Sequence, residues 1–419
     1  MKKTLLITFL LLLTIATSVV GFTSCASSES DVITLYVYNW GEYISDGSEG
    51  SLDVNRAFEE YYAKKHPGKT VKVNYSTFSS NESMYAKVSS GSTAYDVIIP
   101  SDYMIDRMVK EGLLQPLDMD KIPNYAYVAD EFKGENVYYE GNKTGDNPPI
   151  YSVPYFYGMI GVIYNTSIVD PDDKQIGSWD LMWDKDYKGN ILQFNNSRDA
   201  FGTALLKLGY DLNDVTEEQW NEALELLMEQ KEIVQGYVMD EIFNKMQSGS
   251  AAVAAYYAGD YLSMHEKNED LAFFYPTEGT NMYVDAMCVP KNAQNPDVAM
   301  EYINFMCSEE IAVANALYTY YASPMTHVRQ SEEYKSEMGE EAYDILYGES
   351  AQEALENSKY YLNLPTEDLE RLNLLWEQLK SKSRIGNGIY VFCGVILGAL
   401  ALLGIWQFLK KRRWAKLYD

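Results

Sequence analysis

An indole, a carboxylate and a phenol stand within four residues of each other at Trp40, Glu42 and Tyr43. Ring faces and a carboxylate both attract positive charge, so this set suits an organic cation, an amine above all. The same residues also fit an ordinary turn, with Trp40 and Tyr43 buried and Glu42 solvated. Later segments repeat the pairing or supply one half of it: Asp102 with Tyr103, Asn196 with Asp199, Tyr257 with Asp260, Tyr283 with Asp285, and Tyr320 with Tyr321. Carboxylates would take the N–H donors of an ammonium, and rings would take its residual charge and its methylene chain. The chain holds 36 tyrosines, so chance aromatic–acid pairs are expected. Packing accounts for any one pair. It accounts less well for six at comparable places in the fold.

What the pairs share is a place at the end of a strand. Residues 34–38 alternate as a strand and deliver Trp40 to Tyr43 where the pattern stops at Gly41. Residues 52–65 read as an amphipathic helix closed by Pro67-Gly68, residues 71–76 as a strand and 81–90 as a helix. Residues 95–100 then form an apolar strand, which places Ser101, Asp102 and Tyr103 at its carboxyl end, before a helix to Gly112. Strand, helix, strand, helix, strand, helix is the order of a parallel α/β sheet, whose ligands sit at the carboxyl ends of strands. Residues 115–149 read as a surface excursion, and 151–164 as two strand-like pieces crossing into a second domain. There, strands at 190–192, 251–257 and 271–275 alternate with helices at 200–208 and 216–231, the last opened by a Thr216-to-Gln219 cap. A strand at 283–290 crosses back, a helix follows at 296–307 and a loop at 318–324, and the remainder to residue 383 is mostly helical.

Both ends of the chain point to a membrane. Met1-Lys2-Lys3, a long apolar run and small residues make residues 1–27 a signal peptide. Cys25 followed by Ala26, Ser27 and Ser28 resembles a lipoprotein processing site, with Phe22 where Leu is usual. Residues 386–409 are uncharged, long enough to span a bilayer as a helix, and followed by Lys410-Lys411-Arg412-Arg413, which marks residues 410–419 as a cytoplasmic tail. The body would then stand outside the cytoplasmic membrane, held by a carboxyl-terminal anchor, with lipid on a processed Cys25 as a second tether.

The formal charge is −27, from 34 basic and 61 acidic side chains, with several of the basic ones at the two ends. Such a body disfavours nucleic acid and concentrates cations. Of the cysteines, only Cys288 and Cys307 could pair within it, and His66, His265 and His327 are scattered, so neither a disulfide scaffold nor a zinc or haem site is expected. No nucleotide-binding glycine motif or nucleophile elbow occurs in a usable context, and no cofactor is expected.

From residue 34 to about 324 the chain resembles the spermidine/putrescine-binding proteins of bacterial ABC transporters. The resembling strings are LYVYNWGEY, VNYSTFSSNESMYAKV, YDVIIPSDYMIDRMVKEGLLQPLD, SVPYFYGMIGVIYN, SWDLMWDKDYKGNIL and YVDAMCVPKNAQNPDVAMEYINF. The resemblance implies an α/β fold of the two-lobed periplasmic-binding-protein type, closing on a polyamine, with an ABC permease and ATPase as partners and no catalysis. It implies lobe 1 over 28–155 and 286–330, lobe 2 over 156–285, and a carboxyl-terminal helical region over 331–385. By position, Trp40, Glu42, Tyr43, Ser101, Asp102 and Tyr103 line the first lobe. Asn196 and Asp199 belong to the second lobe, Tyr257 and Tyr283 are ring walls, Asp285 is a further ammonium partner, and Tyr321 falls near a loop tyrosine. Tyr257 and Tyr283 stand where well-known members carry Trp, Asn196 where they carry an acid, Asp199 where they carry Glu, and Gly41 where they carry a hydroxyl residue. Past Thr326 the match fades, and only Tyr360 or Tyr361 offers a counterpart for the family's last polar contact. The residues alone leave other readings open: a same-fold carrier of iron, thiamine or another solute, a secreted hydrolase with two carboxylates, or a sensor.

Overall fold

The computed structural model describes residues 32–133 and 149–381, together with Trp406. The expected signal peptide, the Cys25 site and the apolar segment 386–409, Trp406 excepted, lie outside the described residues. Among the described residues no helix is long and apolar enough to cross a membrane. The chain divides into two compact units, one built from residues up to Tyr157 plus Val284–Glu340, the other from Gly158–Tyr283 plus the residues from Glu341 onward.

In the first unit, β1 (Val32–Trp40) pairs in parallel with β2 (Thr70–Phe78) on one side and β3 (Val97–Ile98) on the other. The helices Val54–Lys65, Asn81–Ser89 and Asp102–Lys110 connect and follow these strands, in the order that the alternation predicts. The helix Val54–Lys65 starts where the Asp53 side chain accepts from the Arg56 N–H, and it buries Val54, Phe58 and Tyr62. The strand expected over 95–100 is shorter than its apolar run. Asp96 interrupts it, with one carboxylate oxygen accepting from Tyr36 N at 3.0 Å and the other from Asn295 N at 2.7 Å. A side chain here does the work of a ladder rung. The core gathers Tyr38, Phe78, Met84, Tyr95, Ile98, Met104, Ile105 and Met108. The stretch 115–133 is not a surface excursion. Three 3₁₀ turns, Met119–Lys121, Pro123–Tyr127 and Asp130–Phe132, bury Leu117, Ile122, Val128 and Phe132, and Ala129 N donates to Pro324 O at 2.9 Å. Residues 134–148 lie outside the described residues. Cys288 and Cys307 are buried free thiols.

β4 (Ser152–Asn165) is one strand, not the two pieces expected, and all of it is buried except Gly158 and Tyr164, which are partly so. Its glycines mark close approaches rather than breaks. In the second unit, residues from Ile160 onward pair antiparallel with β7 (Val253–Tyr257) on one edge and β8 (Leu271–Phe274) on the other. β5 (Ile191–Phe194) is parallel to β7 and to β6 (Val234–Val238). β6 and the helices Glu241–Gln247 and Ala258–His265 are additional to the elements read from the sequence. The helix Glu217–Lys231 begins with the expected capping box of Thr216 and Gln219. Buried Gln193 ties the sheet to two helices, donating to Thr203 Oγ1 and to Gln230 Oε1, both at 3.1 Å.

The final segment of the chain joins this unit. β10 (Ser358–Tyr360) lies parallel to the start of β9 (Thr280–Cys288), in register with Thr280 to Met282. The side chain of Asn213 then acts as a further rung. Its Nδ2 donates to Tyr360 O at 2.8 Å, and its Oδ1 accepts from Leu362 N at 2.7 Å. The helix Thr366–Ser381 follows, fastened by Arg371 to Glu217 at 2.8 Å.

Close packing at β4 gives a direct test. A Cβ on Gly161 would sit 2.6 Å from the Phe274 carbonyl oxygen and run into the Phe273 ring, so β8 would have to shift. Gly161→Ala is expected to cost about 1–3 kcal/mol in chemical denaturation. Gly236→Ala, with nothing within 4 Å of its Cβ, should leave stability within about 1 kcal/mol of the parent.

Candidate functional site

In the first unit, three separate stretches of chain converge on the carboxylate of Asp285. Tyr43 Oη donates to Asp285 Oδ2 at 2.7 Å, and Ser101 Oγ donates to Asp285 Oδ1 at 2.6 Å. All three side chains are buried. The backbone brings them there. Ser101 and Asp285 form an antiparallel bridge, and Ala286 N donates to Pro100 O at 3.0 Å. Tyr43 is delivered by the turn after β1, in which Glu42, and not Gly41, takes the left-handed conformation with φ of 49°. A non-glycine residue there costs on the order of 1 kcal/mol, and packing around it must offset that cost. The offset comes from Tyr155, whose hydroxyl donates to Tyr43 O at 2.8 Å, and from the edge-on rings of Tyr155, Phe156 and Tyr321 around Tyr43. Tyr321 lies closest of these, 4.6 Å away at 87°.

Asn81 supports Ser101 and Tyr103 together. Its Nδ2 donates to Ser101 Oγ at 3.0 Å and to Tyr103 Oη at 3.1 Å, and its Oδ1 accepts from Ser101 N at 3.1 Å. Tyr103 Oη in turn donates to Glu82 at 2.9 Å. Asp102 faces the backbone, accepting from Tyr103 N at 2.7 Å and from Val284 N at 3.4 Å. Trp40 packs on Phe78, with ring centroids 4.5 Å apart, and its indole N–H is buried. Glu42 is exposed. Tyr43, Ser101, Asp285 and Tyr321 thus form one contact set, with Tyr103 joined to it through Asn81.

In the second unit the focus is Asp199, in the first turn of the helix Ser197–Lys207. Asn196 caps that helix, its Oδ1 accepting from Asp199 N at 2.8 Å and its Nδ2 donating to Asp199 Oδ2 at 2.7 Å. Tyr257 Oη donates to the same carboxylate oxygen at 2.7 Å. Tyr283 stands edge-on to Tyr257, with centroids 5.3 Å apart at 75°. Gly158 makes room for it, since a Cβ there would lie 2.6 Å from Tyr283 Oη. Burial is the largest influence on Asp199 and raises its pKa above the ordinary 3.8, although Tyr257, Asn196, Arg198 and Tyr361 all favour the charged form. The four predicted residues of this unit, Asn196, Asp199, Tyr257 and Tyr283, form a single contact set.

Asn81, Glu82 and Tyr155 escape a reading based on aromatic–acid pairs. Asn81 and Glu82 open a helix, where polar residues are unremarkable, and Tyr155 sits mid-strand. Among the described residues no group of three or more His, Cys, Asp or Glu is placed to hold a metal. His66 pairs instead with Glu301 at 2.9 Å, and His265 Nδ1 lies 2.8 Å from the Leu271 carbonyl. What the two sets offer chemically is a buried carboxylate held by hydroxyl or amide donors beside aromatic edges, once in each unit.

A spermidine/putrescine-binding periplasmic protein of Salmonella typhimurium is 32% identical over 311 residues, which is 74% of this chain and 82% of that protein. The Escherichia coli protein of the same name is 31% identical over 306 residues, 73% of this chain and 81% of its own. Among solved structures, a putative spermidine/putrescine ABC transporter protein from Listeria monocytogenes aligns with a TM-score of 0.71 at 33% identity. That alignment covers 84% of this chain and 99% of the other. The two-lobed α/β fold of periplasmic binding proteins is therefore the fold of this chain. The model of the bacterial extracellular solute-binding proteins matches residues 57–340. By fold, by sequence and by that match, this chain belongs to the bacterial extracellular solute-binding protein family, which binds solutes rather than transforming them.

Proposed function

We propose that this chain is the polyamine-binding component of an ABC import system, with Asp285 of the first unit and Asp199 of the second each receiving an ammonium group of spermidine or putrescine. The observation that carries the reading is the pair of buried carboxylates, each held by hydroxyl donors beside aromatic rings. A carboxylate offers about four acceptor sites, so two hydroxyls fix its plane without matching its charge. An ammonium does match it, and the tyrosine rings suit the methylene chain. Relatives whose names state spermidine and putrescine support the same ligand class. In this reading Tyr43, Ser101, Tyr103 and Tyr321 line the first set, and Asn196, Tyr257 and Tyr283 the second. Trp40 and Glu42 stand at the rim, and Asp102 holds backbone.

Attachment follows from the sequence. An exported amino terminus and the apolar segment 386–409 with its basic flank place the body outside the cytoplasmic membrane, tethered beside its permease. Lipid on Cys25 would add a second tether.

Spermidine or putrescine should raise the melting temperature of the body, residues 28–385, at millimolar concentration. The absence of a shift with any polyamine would remove this proposal. By calorimetry, Asp285→Asn should weaken binding about tenfold or more, because a hydrogen bond to a charged group contributes about 1.5–3 kcal/mol. Asp260→Asn, in a helix next to the set rather than in it, should have the smaller effect.

Asp199 also imposes a pH dependence. Its folded-state pKa is raised, so the native protein holds that proton to higher pH than the unfolded chain does. From this group, ligand-free stability falls as pH rises from the ordinary value of 3.8 through the raised one. Stabilisation by putrescine grows over the same window. Melting curves across the acid range should show both trends in the parent protein, and Asp199→Asn should flatten both.

For topology, external protease on intact cells should digest an epitope in the body and spare one placed after Trp414. Digestion of both would refute the anchor.

A further inference from the structure

The second carboxylate set has a support from a distant part of the chain. Arg198 and Tyr361 are each only 5% exposed, and the Arg198 guanidinium carbon lies 4.3 Å from the centre of the Tyr361 ring. Tyr361 Oη donates to the Arg198 carbonyl at 3.0 Å, in the first turn of the helix that carries Asp199. Arg198 Nη2 donates back to the Leu362 carbonyl at 3.2 Å. Ring, cation and backbone thus lock together reciprocally. The fit is tight: a Cβ on Gly202, one turn further along the helix, would run into the Tyr361 hydroxyl. The segment bearing Tyr361 is fixed from several sides, by the register of β10 with Thr280 to Met282, by the Asn213 rung, and by the ion pair of Lys359 with Asp211.

We infer that Tyr361 is a positioning residue for Asp199: it seats the Arg198 guanidinium against the start of the helix, and so makes the carboxylate's charge and orientation depend on residues 358–362. This inference rests on the reading that Asp199 receives an ammonium group. The surroundings explain why a seated cation matters. Asp199 meets Arg198 from its own helix, Tyr257 from β7 and Tyr361 from the final segment. The neighbouring Tyr256 phenol feels Asp260, Asp240 and Glu241 as well as Asp199. The region therefore carries an excess of acid, with Asp199 and Asp260 buried. With the guanidinium held in place, the charged carboxylate that accepts an ammonium N–H is favoured. With the guanidinium released, burial acts with less opposition and the carboxyl holds its proton to higher pH. Tyr361 would act on affinity without touching the ligand.

The test is Tyr361→Phe in the full chain, which removes the hydroxyl tie and keeps the ring. Two readouts are needed. Calorimetry with putrescine should show affinity weakened about tenfold in the parent background and unchanged in an Asp199→Asn background, since residues acting through one another are not additive. Carbon-13 carboxyl NMR of the ligand-free protein, with the Asp199 signal assigned by its loss in Asp199→Asn, should show Asp199 titrating at higher pH in Tyr361→Phe. Equal losses of affinity in the two backgrounds, or an unmoved carboxyl titration, would overturn the inference. Should the parent protein bind no polyamine, the polyamine reading falls, and the ligand-free titration still decides the role of Tyr361. Arg198→Met, read in the same two ways, takes the place of Tyr361→Phe if that variant does not fold. It should raise the Asp199 titration, and an unmoved titration there also counts against the inference.

Discussion

Burying a carboxylate removes it from water at a cost of several kcal/mol unless hydrogen-bond donors replace the lost hydration. Asp285 sits on a strand whose nine residues are all buried, and its replacement donors are Tyr43 and Ser101. Much of the first unit follows from that requirement. The turn at Glu42 must adopt a left-handed conformation to deliver Tyr43, and Tyr155 must hold Tyr43 by its carbonyl. Asn81 must open its helix beside Ser101, and β3 must end at Ile98, shortly before Ser101 bridges to Asp285. Elements distant in sequence are thus tied to the solvation of one charged group.

The second unit meets the same requirement differently. Asp199 takes one donor from its own helix cap, one from a strand tyrosine, and the charge of an adjacent buried arginine. A helix amino terminus favours an anion, which reduces the number of hydroxyls needed. In both units the aromatic rings shape the walls while hydroxyls and amides set the polar geometry. A set built this way tolerates exchange of one ring for another more readily than loss of a carboxylate, which bears on the tyrosines at 257 and 283.

Most of the βα order could be read from the sequence because strand and helix periods differ and the caps are explicit. Thr216 begins its helix with the expected side-chain bond, and Asp53 and Asn196 prove to cap theirs in the same manner. The failures have physical causes. Gly158 and Gly161 look like interruptions in a run of apolar residues, yet they exist to admit Tyr283 and the Phe273–Phe274 backbone to an unbroken strand. Residues 115–133 look polar, yet Leu117, Ile122, Val128 and Phe132 among them are buried. β10 is three residues long with Lys359 at its centre, and only its register with β9 makes it a strand. Asp285 was legible because acid beside aromatic is a local pattern, and Asp199 through its place after a strand and the family resemblance. The supports Asn81 and Tyr155 were not, and Tyr361 was legible only as a possible polar contact, because a residue that positions another is recognisable only by what it touches.

The Asn213 rung has a consequence for how the molecule is made. A polypeptide emerges amino terminus first, and its early parts begin to fold before its late parts exist. Asn213 and Arg198 find their long-range partners in Tyr360, Tyr361 and Leu362, so about 150 residues must follow before that corner can close. Until then the second unit carries an uncovered strand edge and an unseated buried cation. Long-range closure of this kind slows folding. It also means that a chain cut short before residue 358 would leave the edge of β9 at Thr280 to Met282 without its β10 partner.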